Sequence, residues 1–127
     1  MDRSWAEAFA TQWARDWNAH DIDAVLAHFA EDVVFTSPVA ARVVPDTGGV
    51  VRGKEALRAY WTLGLSKVPD LHFEVVSVFV GVDVLVIAYR NQRGDHVSEV
   101  LELADDLVVR GHGTYLAGGG ATAARAG

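Results

Sequence analysis

The chain has 127 residues, half of them hydrophobic, a net charge of −6 and no cysteine. That length suits a single domain burying about two-thirds of its unfolded surface, and the acidic balance, with no run of Lys or Arg, argues against a nucleic-acid partner. The missing cysteines exclude disulfides, a thiolate nucleophile and a zinc knuckle.

Trp5, Phe9, Trp13 and Trp17 recur at spacing four, with Ala6, Ala10 and Ala14 beside them. This is an amphipathic helix of roughly four turns. Met1-Asp2-Arg3-Ser4-Trp5 lacks the apolar core of a secretion signal. No stretch approaches the ~20 apolar residues that span a bilayer, so the expectation is a cytoplasmic protein with no membrane partner. Asn18-Ala19-His20 breaks the helix. Asp21 suits the N-cap of a second helix whose buried stripe is Ile22, Val25, Leu26 and Phe29, with Asp23 favourable in its first turn.

Residues 33–37 change the period to that of a strand, which Pro38 ends. The segment 39–51 holds Pro45 and Gly48-Gly49 together with apolar Ala40, Ala41, Val43 and Val44, and is predicted to be a lid or rim over a pocket. After Gly53 a third helix presents Leu57, Tyr60, Trp61 and Leu65, and Pro69-Asp70 ends it. From residue 71 the chain is β, with strands predicted over 71–80, 84–91, the stretch around Glu99, and 107–116. Short turns between them imply an antiparallel meander. The fold class is α+β, helices on one side of a curved sheet, in one domain over 1–116. The Gly- and Ala-rich tail 117–127 is predicted to be disordered.

The sheet's second face is also apolar. Val76, Val78 and Val80 alternate with Phe73, Val75 and Phe79, and residues 84–88 are apolar throughout. Helices cover one face only, so a second copy of the chain is expected on the other, as a homodimer.

Glu99 stands out within Val97-Ser98-Glu99-Val100-Leu101-Glu102-Leu103. Alternation puts it on one face with Val97, Leu101 and Leu103. If that face is interior, burial raises the acid's pKa, and its neutral form can donate a hydrogen bond to a bound oxygen. If the strand is flipped or bulged, Glu99 is merely solvated. The five histidines show no metal-site spacing, so no metal or cofactor is expected. His20 falls in the interhelix turn, His72 faces outward, and His96 and His112 lie on later strands. His28 borders the second helix's apolar stripe. It is either a flanking residue bonded to backbone or, facing the pocket, a candidate base. Arg42 is either an exposed charge or a contact for an anionic ligand group.

The stretches Trp17-Asn18-Ala19-His20-Asp21-Ile22-Asp23-Ala24, Phe29-Ala30-Glu31-Asp32-Val33-Val34-Phe35, Ser37-Pro38-Val39-Ala40 and Arg52-Gly53-Lys54-Glu55-Ala56-Leu57 resemble the nuclear-transport-factor-2-like superfamily. The likeness is to its SnoaL-like and ketosteroid-isomerase-like members, over about residues 5 to 116. It implies a cone-shaped, mostly antiparallel sheet wrapped around three helices in the N-terminal half, a cystatin-like α+β roll with a pocket at its open end. In the steroid isomerases a general-base aspartate precedes the proline that follows the first strand; Ser37 stands there. The first-helix tyrosine of their oxyanion hole corresponds to Trp13, while the buried acid is retained as Glu99. A serine hydroxyl needs a base beside it to move a proton, which places dienol-forming isomerisation in doubt. The epoxide hydrolases of the superfamily resemble two carboxylates bridged by an arginine; Arg90 lies on the strand next to Glu99, without a second acid at matching spacing. The dehydratases resemble an arrangement of histidines, tyrosines and an aspartate, for which His28, Tyr60, Tyr89 and Tyr115 are available in type.

The expected function is a small-molecule pocket taking an apolar ligand with a carbonyl or hydroxyl oxygen. Glu99 and His28 are the candidate proton carriers, and Trp13, Phe35, Ser37, Trp61 and Tyr115 the candidate lining. Isomerase, cyclase or dehydratase chemistry, a non-catalytic binder and a dimerisation module all remain open.

Overall fold

The computed structural model describes residues 1–118. Apart from Ala117 and Gly118, the tail predicted to be disordered lies outside the described residues. Helix α1 (Arg3–Asn18) starts where the Asp2 carboxylate accepts the backbone N–H of Ser4, and it buries Ala6, Phe9, Ala10, Trp13 and Trp17. Helix α2 (Ile22–Leu26) is capped by Asp21, as predicted, with Ala24 N donating at 3.1 Å. It is shorter than its apolar stripe implied. Phe29 opens strand β1 (Phe29–Thr36) and pairs with Val108, because the last strand draws the chain out of the helix; Val108 N donates to His28 O at 2.9 Å.

The 39–51 segment is not a loose lid. Ser37 is extended, and its hydroxyl caps helix α3 (Pro38–Val43) by accepting Val39 N at 3.1 Å. Pro38 at the first helical position needs no donor there. A 3-10 turn over Pro45–Thr47 and strand β2 (Val50–Arg52) complete the segment. Val39, Ala40 and Val51 are core residues. Proline and paired glycines gave this stretch the look of a loop, and six helical residues are too few to show a period.

Helix α4 (Lys54–Lys67) follows, then β3 (Glu74–Val80), β4 (Val84–Arg90), β5 (His96–Ala104) and β6 (Leu107–Tyr115). The sheet order is β2-β1-β6-β5-β4-β3. The meander from β3 to β6 is antiparallel as expected, and the sheet is mixed because β1 joins β6 in parallel. Among the described residues four α-helices, one more than predicted, accompany this curved α+β sheet.

Two corrections concern β3. It starts at Glu74 rather than at 71, because residues 71–73 are tied to the end of α1. A bulge between Val75 and Ser77 also shifts its register. Val78 therefore pairs with the fully buried Ile87, and Phe79 turns outward and is 58% exposed. Strict alternation had placed Phe79 with Val75; the extra residue reverses the faces beyond it.

Candidate functional site

Glu99 pairs with Ile87 on β4 and Gly113 on β6. Val97, Leu101 and Leu103 on the same face are all buried, so the carboxyl points inside the curve of the sheet. A cavity of about 100 Å³ lies there. Trp13 and Trp17 of α1, Phe29 and Phe35 of β1, Trp61 of α4 and Phe73 form its aromatic walls. Ser37, Tyr60, Tyr89, Glu99 and Tyr115 supply its polar groups. Leu65 and Val68 near the end of α4, and Asn91 and Gln92 in the β4–β5 hairpin, also line it and retain partial exposure.

Trp61 meets its neighbours edge to face. Trp61 stands at 90° to Phe29, 5.4 Å between centroids, and at 78° to Phe35, 5.6 Å away. Such geometry sets positive ring edges against negative faces. Two glycines of β6 border the site. A Cβ on Gly111 would sit 2.8 Å from Phe35 Cδ1, so this ring crosses the strand only because residue 111 has no side chain. A Cβ on Gly113 would lie 3.4 Å from Ser37 Oγ and 3.7 Å from Glu99 Oε1. Ser37 Oγ and Glu99 Oε1 both lie within van der Waals reach of the space that a side chain at residue 113 would take.

The Tyr89 hydroxyl donates to Glu99 Oε1 at 3.1 Å. Burial away from water raises the Glu99 pKa from 4.5 to about 7, and the Tyr89 hydrogen bond partly offsets the rise. Burial pushes the Tyr60 phenol up to about 12. It also lifts Tyr89 and Tyr115 well above the ordinary phenol value, with the nearby Glu99 charge adding to the effect. At Tyr60 and Tyr115 hydrogen bonding to Ser37 and the Arg42 charge pull the other way. All three phenols therefore keep their protons at neutral pH, while Glu99 is near half-ionised.

The structure brings together Glu99, Trp13, Phe35, Ser37, Trp61 and Tyr115 around this one cavity. It places His28 elsewhere, at the α2–β1 turn, edge-on to Phe9 at 5.4 Å and outside the lining. Arg90 is exposed on the opposite face of β4 from Tyr89, away from the cavity. His112 faces outward, bonded to Thr36 Oγ1 at 2.7 Å and Glu102 Oε2 at 3.1 Å. Among the described residues no group of three or more His, Asp or Glu is placed to hold a metal ion. Tyr60 and Tyr89 were named from the sequence only as available in type for a dehydratase-like arrangement, not among the expected lining. Tyr89 carries a usable signal, because it alternates with Leu85 and Ile87 on a face that is apolar elsewhere.

The model of the SnoaL-like domain family matches residues 10–126. The chain belongs to the SnoaL-like family. A SnoaL-like protein of unknown function from Burkholderia thailandensis is 37% identical over 91% of this chain and 98% of its own, with a TM-score of 0.86. AclR, a putative hydroxylase from Streptomyces galilaeus, is 19% identical over 91% of each chain, with a TM-score of 0.70. TerC, crystallised with polyporic acid, is 12% identical over 87% of this chain and 91% of its own, with a TM-score of 0.72. The last two show that the SnoaL-like chain shares their fold. No curated protein matches. No helix among the described residues is long and apolar enough to cross a membrane.

Proposed function

We propose that this SnoaL-like protein binds a small, mostly apolar molecule bearing a carbonyl or hydroxyl oxygen, and that Glu99 meets that oxygen. The observation that carries the reading is an acid hydrogen-bonded by Tyr89, its pKa raised to about 7 by burial, in a cavity walled mostly by aromatic and aliphatic side chains. In its neutral form Glu99 donates to the ligand oxygen while still accepting from Tyr89. An acid titrating near neutrality also moves a proton in either direction at little cost, so proton transfer beside a carbonyl is the chemistry that fits. That TerC was crystallised with polyporic acid supports a small organic ligand.

A second reading is binding without turnover. It is favoured by Ser37, which occupies the position of the steroid isomerases' base and already caps α3 with its hydroxyl. Substituting Glu99→Gln separates the two readings. Turnover through a titrating Glu99 is lost in this variant with binding kept, whereas a pure binder keeps its whole function. Ligands are first found by thermal shift with apolar ketones and phenols; occupancy at 100 times Kd adds about 2.7 kcal/mol to stability. A broad panel that leaves the melting temperature unmoved overturns the binding reading.

The outward face of the sheet, with Phe79 58% exposed beside Val84, Val86 and Val100 of neighbouring strands, supports a sheet-to-sheet homodimer. Sedimentation of a monomer at micromolar concentration overturns it.

A further inference from the structure

We propose that the ring of Phe73, held in place through its backbone by Asn18, limits this cavity to one-ring ligands. The inference rests on the small-molecule reading above and names the size class of the ligand.

The volume comes first. A cavity of about 150 Å³ holds one benzene, and this one measures about 100 Å³. A single ring, seated with slight adjustment of the walls and with its oxygen toward Glu99, uses the whole space. A second fused ring has to take the place of a wall or project past the half-exposed Leu65, Val68, Asn91 and Gln92 at the mouth.

Phe73 is the wall ring least tied to regular structure. It precedes β3 and is partly exposed, yet it packs against three cavity rings. Its centroid lies 4.4 Å from Tyr89, 5.5 Å from Trp13 and 5.7 Å from Trp17. Tyr89 is the residue that donates to Glu99, so Phe73 closes the cavity one ring away from the acid.

Asn18 explains why the ring stays there. Its Nδ2 donates to Phe73 O at 3.0 Å, and Phe73 N donates to its Oδ1 at 2.7 Å. Both backbone groups that a ladder would have satisfied are met by one side chain. His20 Nε2 holds Leu71 O at 2.9 Å. Residues 71–73 are thereby fastened to the end of the helix that carries Trp13 and Trp17. Phe73 is the size-determining residue and Asn18 its positioning residue.

Isothermal titration calorimetry with phenol, 2-cyclohexenone and 2-naphthol tests this. The wild-type protein is expected to bind both one-ring probes, and 2-naphthol at least tenfold more weakly than phenol. Phe73→Ala is expected to shift the naphthol-to-phenol affinity ratio at least tenfold toward naphthol. Asn18→Ala is expected to shift it in the same direction, which loss of stability alone does not do. If Phe73→Ala fails to fold by circular dichroism, Phe73→Leu is expected to give a smaller shift of the same sign. Naphthol binding the wild type as well as phenol, or a ratio unmoved in the folded variants, overturns the size limit and leaves the pocket reading standing. No binding by any of the three probes to the wild type overturns both.

Discussion

The Glu99→Gln variant isolates the energetic consequence of burying an acid. Glutamine has nearly the shape of the neutral carboxyl, and its carbonyl oxygen still accepts from the Tyr89 hydroxyl. In the wild type the native state holds the Glu99 proton up to about pH 7, whereas the unfolded chain releases it near 4.5. Between those values the native state binds more protons than the unfolded state, so stability falls as pH rises. The benefit is fully present below 4.5 and gone above about 7. The interval corresponds to about 3 kcal/mol, at about 1.4 kcal/mol per pH unit. That figure is an upper limit, since water entering the cavity hydrates the ionised form. Urea unfolding of both proteins from pH 4 to 8.5 measures it. Every other titrating group is common to the two, so their stability difference reports Glu99 alone. The variant is expected to gain on the wild type progressively through this window and to hold a constant advantage above pH 8. Parallel stability curves refute the argument and place Glu99 in contact with bulk water.

Tyr89→Phe removes the hydrogen bond that lowers the Glu99 pKa, so the carboxyl is expected to titrate above its present value of about 7; carbon-13 NMR of the labelled side chain reads this directly. Gly111→Ala puts a Cβ 2.8 Å from Phe35 Cδ1 and is expected to cost about 1–3 kcal/mol by overpacking, measured as a lower urea midpoint. Gly113→Ala meets only ordinary contacts, at 3.4 Å from Ser37 Oγ and 3.7 Å from Glu99 Oε1. It is expected to leave the fold intact by circular dichroism while weakening phenol binding by calorimetry. Ser37→Ala loses the α3 cap and is expected to cost about 1 kcal/mol, measured in the same urea experiment.

The parts of this molecule that were legible beforehand are those where one period persists. Four aromatics at spacing four marked the buried face of α1, and the apolar neighbours of Glu99 favoured the inward of its two possible directions. Period carries no information across an added residue, and so the bulge in β3 turned Phe79 outward against expectation. It is equally silent about α3, where the deciding group is a single serine hydroxyl accepting one backbone N–H. The acid could be found from the sequence because a charge on an apolar face is conspicuous. Tyr60 and Tyr89 were harder, since a phenol in a core pattern reads as packing and its hydroxyl shows its use only when the ends of distant strands are brought together. Asn18 was noticed as part of a family pattern, but its partner is 55 residues away, and no local rule connects an asparagine to the backbone of a later loop.

The arrangement also constrains what chemistry the proposed site can perform. Reactions that add or remove water across a bond in the anti sense need an acid on one side and a base on the other. Here the phenols are held protonated by burial, which makes them donors and poor bases. The Ser37 hydroxyl is engaged by Val39 N, and His28 stands outside the lining. Glu99 is left as the single cavity side chain titrating near neutrality. One carboxyl that both takes and returns a proton must reach both ligand atoms from one position, so those atoms lie on the same face of the ligand and close together. Transfers within a conjugated carbonyl system meet that condition, and hydration across two faces does not. A deuterium-exchange experiment on a bound cyclic ketone decides the point. Exchange of the hydrogens beside the carbonyl, lost in Glu99→Gln, is the expected result, and exchange that persists in the variant assigns the proton to another group.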